Sequence, residues 1–84
     1  MLEIWIHNEK RRYYKFAIYC DLLGDRVLLR NWGSMDSRVG GSMTQVINNK
    51  QQEQCLITSI RKKRLLHDYQ LVTKEESDND TANS

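Results

Sequence analysis

Two stretches near the start of the chain alternate apolar and polar residues with a period of two, a pattern that requires β-strands with one buried face. The first is residues 2–7, where Leu2, Ile4 and Ile6 alternate with Glu3, Trp5 and His7. The second runs from Arg12 to Leu22 and places Tyr14, Phe16, Ile18 and Cys20 on the predicted core face. A chain that opens this way is expected to build an antiparallel sheet.

Turn residues then divide the chain into further elements. Gly24 and Asp25 predict a turn before a third strand from Arg26 to Trp32. In that strand Val27 and Leu29 fall on one face, opposite Arg26, Leu28, Arg30 and Trp32. A glycine-containing loop over 33–41 leads to a fourth strand over 42–47.

The second half of the chain predicts one helix. Asn48 and Asn49 are favourable N-caps, and Gln52 three residues after Asn49 forms a variant of the capping box. Leu56, Ile57 and Ile60 supply an apolar stripe, and the basic run 61–64 follows near the C-terminus. Residues 69–72 predict a short closing strand. The expected fold is α+β, an antiparallel four- to five-stranded sheet with one helix packed on one face.

Length and composition restrict the classes of protein that fit. Eighty-four residues make one small domain, predicted over 1–72, with a disordered acidic tail over 73–84. Apolar residues make up 39% and charged residues 29%, which is typical of a globular protein and leaves no membrane span. The start lacks a signal-peptide pattern, so a cytoplasmic location is expected. Cys20 and Cys55 are then interpreted as reduced and buried, with no zinc site and no cofactor.

The charge is unevenly distributed along the chain. Residues 1–72 hold twelve Lys and Arg against seven Asp and Glu, whereas residues 73–84 hold one Lys against four acids. The predicted domain therefore carries a net charge of +5, which is compatible with a polyanionic partner.

A candidate binding surface follows from the predicted faces. If the helix covers Tyr14, Phe16 and Ile18, the outer face presents an aromatic and basic set of side chains. Aromatic rings stack on bases and sugars, and cations contact phosphates. For Trp5 the favoured interpretation is that it only covers neighbouring backbone, and for the run 61–64 a solvated helix face fits equally well. The set comprises Trp5, Tyr13, Lys15, Tyr19, Arg26, Arg30 and Trp32.

No arrangement of residues indicates catalysis. His7 and His67 have no partner that would make a nucleophile or a metal site, and no phosphate-binding motif is present. The chain is also too short to enclose a substrate pocket, so neither an enzyme nor a small-molecule substrate is expected.

Five features in order resemble the WGR domain, a small module of poly(ADP-ribose) polymerases and short bacterial proteins named for a Trp-Gly-Arg triplet. The resemblance covers residues 12–69. It rests on the stretch 13–16, the turn at Gly24, the stretch 30–33, the pair Gly40-Gly41, and the helix ending in a basic run before Tyr69. It implies a module that binds DNA ends, in which Trp32 stacks on a terminal sugar. Arg30, Arg38 and Gly40 match family positions around that tryptophan.

The chain departs from the family pattern at two positions. Ser34 stands where the family has the arginine of the triplet, which removes a guanidinium able to contact phosphate through two hydrogen bonds. Asp36 stands where the family has glycine and puts a negative charge in the loop.

The leading hypothesis is a non-enzymatic nucleic-acid-binding module. The alternative is a module for protein interaction or homodimerisation through the outer face or an edge of the sheet. DNA is the expected partner, and the oligomeric state stays open. The predicted binding residues are Lys15, Arg30, Trp32, Gly33, Arg38, Gly40, Arg61 and Lys62.

Overall fold

A computed structural model of the chain describes residues 1–76 and contains one five-stranded antiparallel sheet and one helix. The predicted α+β class is confirmed. The strand order is β4-β3-β2-β1-β5, so the first four strands form a meander and the last pairs with the first. The elements are β1 (Leu2–His7), β2 (Arg12–Cys20), β3 (Arg26–Ser34), β4 (Gly40–Val46), α1 (Lys50–Leu66) and β5 (Gln70–Glu75).

The helix begins where the sequence predicts it. Asn49 is the N-cap, and its Oδ1 accepts a hydrogen bond of 2.7 Å from the backbone N–H of Gln52. The Gln52 side chain accepts in turn from the N–H of Asn48, one residue earlier than in the usual capping box. The stripe of α1 then packs on the sheet, with Ile57 and Ile60 buried and Leu56 partly buried.

One hydrophobic core lies between α1 and the sheet. Phe16, Ile18 and Leu28 are its most deeply buried apolar side chains. The core residues are Trp5, Tyr14, Phe16, Ile18, Leu28, Ile47, Ile57 and Ile60.

The sequence-based assignment of faces in β1 is wrong. Trp5 pairs with Tyr14 and Glu3 pairs with Phe16, so both lie on the face that α1 covers. Glu3, Trp5 and His7 are buried, whereas the three aliphatic residues that alternate with them are only half-buried on the other face. A strand's faces follow its register with its neighbour, and here the register overrides hydrophobicity.

The assignment in β3 is wrong for the same reason. Tyr14 pairs with Trp32, and Phe16 pairs with Arg30, so these two residues lie on the helix side and not on the outer face. Leu28 joins the core, while Val27 and Leu29 lie on the side without a helix. The predicted outer set is thus divided between two faces.

The face without a helix, here called the open face, is largely apolar. Ile4 and Ala17 are half-buried on it, Tyr19 is exposed, and Val27 is buried among its neighbours. Lys15 also lies on this face, between Ile4 on β1 and Asn31 on β3.

The boundaries of the later elements differ slightly from those predicted. β5 continues to Glu75, three residues past the predicted domain end at 72. The rest of the predicted tail from residue 77 onward lies outside the described residues. In residues 1–76, no helix has the length and hydrophobicity needed to cross a bilayer.

Candidate nucleic-acid interface

A groove of about 860 Å³ lies on the helix side of the sheet, between the C-terminal half of α1 and the ends of β2, β3 and β4. The helix leaves this corner uncovered. Leu56 and Ile60 form part of the apolar floor of the groove, and Lys63 and Arg64 extend the same helix face toward solvent. These four residues lie on one side of α1, because helix residues that are three, four or seven positions apart share a side.

Trp32 stands at the β3 side of the groove and is 36% exposed. Gly41 on β4 is its cross-strand partner, and the indole lies over it, because a Cβ added to Gly41 would come 2.9 Å from the ring atom Cζ2. Tyr14 flanks the indole on the other side, with ring centroids 6.4 Å apart and the planes within 16° of each other. The indole is therefore held between neighbours with part of its surface free to stack.

Two arginines line the groove beside these rings. Arg30 donates to the hydroxyl of Tyr14 at 3.5 Å and to Oε1 of Gln45 at 3.3 Å. Arg64 lies over the ring of Tyr14, 4.0 Å from its centroid, and 4.9 Å from that of Tyr69. The Nε atoms of both arginines are buried and have no hydrogen-bond partner among residues 1–76. Guanidinium groups that line a groove are suited to an anionic ligand.

The end of α1 positions Tyr69 against Arg64. Asp68 adopts the left-handed conformation with φ of 66°, which turns the chain back so that the N–H of Tyr69 donates to the carbonyl of Arg64 at 2.9 Å. Tyr69 also meets the ring of His7 edge-on, with centroids 5.5 Å apart. The ring of Tyr69 beside Arg64 is thus fixed by the helix end and by β1.

The charged side chains among the described residues that line the groove are all positive. Its lining includes Lys10, Arg12 and Lys63 in addition to Arg30 and Arg64, and no carboxylate is among the described residues that line it. Asp36, the charge that the sequence places in the phosphate-facing loop, instead binds Arg11 through hydrogen bonds of 2.9 Å to Nε. Both side chains of that pair are exposed, and neither lines the groove.

The loop that carries Asp36 is tied to the turn between β1 and β2. Met35 donates its backbone N–H to the carbonyl of Arg11 at 2.9 Å. Gly33 and Gly40 approach each other closely at the base of this loop, where a Cβ on Gly33 would lie 2.7 Å from the carbonyl oxygen of Val39. Both glycines line the groove.

The eight predicted binding residues are not all brought together. Arg30, Trp32, Gly33 and Gly40 line the groove. Lys15 lies on the open face, on the opposite side of the sheet. Arg38 and Lys62 are exposed and are not among the residues that line the groove.

Arg61, the eighth predicted residue, forms a structural ion pair. Its Nε and Nη2 both donate to Oε2 of Glu3, whose side chain is fully buried. Trp5 donates its indole N–H to the other oxygen of Glu3 at 3.1 Å. Hydrogen bonding to Glu3 raises the pKa of Arg61, against the lowering effect of burial and with help from the charge of Glu3. Arg61 therefore holds α1 on β1 through its ion pair with Glu3.

The predicted binding residues do not include Tyr14, Lys63, Arg64 and Tyr69, although all four line the groove. The signal was available in the spacing of α1. Arg64 follows Ile60 by four residues and Lys63 follows it by three, so the apolar stripe continues as cations. Tyr14 was assigned to the core, where it does lie, but its hydroxyl end also reaches the groove.

Two further predictions concern the cysteines and metals. Cys20 and Cys55 are both exposed, so the expectation that they are buried is wrong; each lies at the end or on the outer side of its element. Within residues 1–76, no group of three or more His, Cys, Asp or Glu side chains is placed to hold a metal ion.

Comparison of the chain with protein-family models, with curated proteins and with solved structures found no match.

Proposed function

We propose that this protein is a non-enzymatic nucleic-acid-binding module whose ligand occupies the groove beside Trp32. The observation that carries the proposal is the composition of that groove. Five cations and a partly exposed indole line it without a carboxylate among the described residues. A nucleotide, which carries a ring next to a phosphate, matches both the indole and the cations.

The roles of the groove residues follow from their positions. Trp32 stacks on a sugar or base, because Tyr14 and Gly41 hold the indole while part of it stays accessible. Arg30 and Arg64 line the groove and contact the attached phosphate through their guanidinium groups. Arg12 and Lys63, which also line the groove, attract the flanking phosphates.

The resemblance to the WGR domain supports a DNA end as the ligand. The module that it resembles uses the corresponding tryptophan for a terminal nucleotide. Ser34, at the position of the missing triplet arginine, also lines the groove. Arg64 on α1 supplies a guanidinium to the same groove, and we propose that it takes over phosphate contact there.

The test compares binding of a 5′-phosphorylated blunt duplex with binding of a hairpin whose end is capped. Trp32→Ala is expected to weaken duplex binding by about 5- to 150-fold, since one stacked aromatic contributes roughly 1–3 kcal/mol. Tyr19→Ala is the matched control, because Tyr19 is an exposed aromatic on the open face. Its affinity is expected to equal that of the wild type.

Each outcome of this comparison has a defined meaning. A preference for the free 5′ end that disappears in Trp32→Ala supports end recognition in the groove. Equal binding of both probes, still weakened by Trp32→Ala, supports recognition of the backbone alone. Absence of binding at low salt, or equal losses in Trp32→Ala and Tyr19→Ala, contradicts the proposal.

A further inference from the structure

The two edges of the sheet differ in how they are protected against pairing with another strand. β5 contains Lys74 and Glu75, and its register with β1 shifts between Ile4 and Trp5. Charges and irregularities of this kind discourage edge-to-edge association. β4 has none of them: its seven residues are uncharged, contain no proline, and pair with β3 without a shift.

The hydrogen bonds at the two ends of β4 show which of its backbone groups face outward. Ser34 donates its N–H to the carbonyl of Val39 at 3.0 Å, and Ile47 donates to the carbonyl of Arg26 at 2.8 Å. Because hydrogen-bonded pairs alternate in an antiparallel ladder, the odd-numbered residues of β4 bond to β3. The even-numbered residues, which are Gly40, Ser42, Thr44 and Val46, direct their N–H and C=O groups away from the sheet.

We propose that β4 pairs with β4 of a second copy of this chain, antiparallel and centred on Met43. In this register Ser42 lies opposite Thr44 of the second copy, and Gly40 lies opposite Val46. Both are pairs of outward-facing residues, so all four such residues in each copy form hydrogen bonds. A shift of the centre to Ser42 or Thr44 leaves outward groups unpaired in each copy.

The side chains of β4 also favour a second copy over an unrelated peptide. Self-pairing places the small residues at 40–42 opposite the larger ones at 44–46. The larger side chains of each copy therefore pack beside the small residues of the other. No like charges meet within the strand pair. Arg30 of each copy lies level with Met43 but on the strand behind, about 14 Å from its counterpart at the usual strand spacing, which exceeds the screening length near physiological salt.

Pairing of this kind would join two sheets into one of ten strands with both helices on the same side. The two Trp32 residues would then lie about 20 Å apart. They would be separated by three strand spacings across the joined sheet and by four residues along the strand direction. Gln45 of the second copy would lie opposite Gly41, next to the strand position over which the Trp32 indole sits. The dimer does not require nucleic-acid binding, but it would give one ligand two grooves.

Disulfide trapping tests the register directly, in a Cys20→Ser, Cys55→Ser background because both native thiols are exposed. Met43→Cys places two thiols at a non-hydrogen-bonded pair with Cα atoms about 4.5 Å apart, within disulfide reach. Gln45→Cys is the control, since its two copies would lie about 14 Å apart. Mild oxidation is expected to give a covalent dimer of the first variant and at least tenfold less of the second.

Sedimentation equilibrium provides a second measurement. We expect the wild type to dimerise at about 0.5 mM, because an edge pair buries a small area and associates weakly. Thr44→Pro removes an outward N–H without breaking a bond to β3, and it should weaken the dimer at least tenfold, whereas Thr44→Val should not. A monomeric wild type, equal trapping of both cysteine variants, or an unchanged dimer in a folded Thr44→Pro protein would overturn the proposal.

Discussion

Lys62 and Lys63 offer the sharpest test of whether the groove, and not the general charge of the protein, binds nucleic acid. They are adjacent, exposed residues of α1, yet Lys63 lines the groove and Lys62 does not. Replacing either one with glutamine removes one positive charge and keeps the helix propensity similar. The two variants therefore have the same net charge and differ in where the charge was lost.

The salt dependence of binding gives the magnitude. Five cations line the groove, and if each neutralises one duplex phosphate, the slope of log K against log salt is about −4.5. Affinity then falls about 500-fold between roughly 50 and 200 mM salt. Lys63→Gln should reduce the slope to about −3.6, and the loss over the same range to about 150-fold. Lys62→Gln should keep the wild-type slope.

The assay is a fluorescence-anisotropy titration with the phosphorylated duplex at five or more salt concentrations. Thermal unfolding of each variant under the same conditions controls for stability. If the two variants flatten the slope equally, the interaction arises from the overall field of the protein and the assignment of the groove is refuted. If neither changes it, Lys63 does not contact phosphate.

Three other predictions test the packing around the site. Arg61→Met should lower the free energy of unfolding in urea by about 3–5 kcal/mol, because it leaves buried Glu3 without its cation. Glu3→Gln should lower it less, because Arg61 can turn to solvent. Equal losses in the two variants would contradict a buried carboxylate. Gly41→Ala should displace the indole of Trp32 and shift tryptophan emission, with unchanged emission refuting the contact. Both cysteine thiols should react rapidly with a thiol reagent in the native protein, and slow reaction would show that they are covered.

The fold was predictable because its elements depend on local patterns. Alternation identified the strands, and the Asn49 cap identified the start of α1. The faces of β1 and β3 were not predictable, because they depend on the lengths of the loops 8–11 and 21–25. Cys20 pairs with Arg26 across a five-residue turn closed by the N–H of Asp21 on the carbonyl of Asp25. A loop one residue shorter would exchange the two faces of β3.

The candidate site was half predictable. Trp32 and Arg30 were identified by their residue types, and the WGR resemblance points to the same stretch of chain. The face predicted for them is wrong, since the sequence places them on the outer face and they lie on the helix side. They remain accessible because α1 leaves the corner near Gly41 uncovered, and the path of a helix across a sheet follows from packing that the sequence does not state.

Arg30 shows most clearly where binding and stability make opposite demands. It lies on the core side of β3, directly opposite Phe16, where an apolar side chain would pack well. Its Nε is buried without a partner among residues 1–76, and its two hydrogen bonds, at 3.3 and 3.5 Å, are long. A buried donor without a partner costs about 1–3 kcal/mol.

Arg30→Met should therefore leave the free energy of unfolding unchanged or raise it by up to about 2 kcal/mol, because methionine fills a similar volume and removes the unpaired donor. The same variant should weaken nucleic-acid binding at least tenfold if the guanidinium contacts phosphate. Urea unfolding and the anisotropy titration measure the two effects on one protein. A loss of stability above about 1 kcal/mol would mean that Arg30 is a structural residue with adequate partners. The contrast between Arg30→Met and Arg61→Met thus separates the arginine that serves the ligand from the arginine that holds the fold.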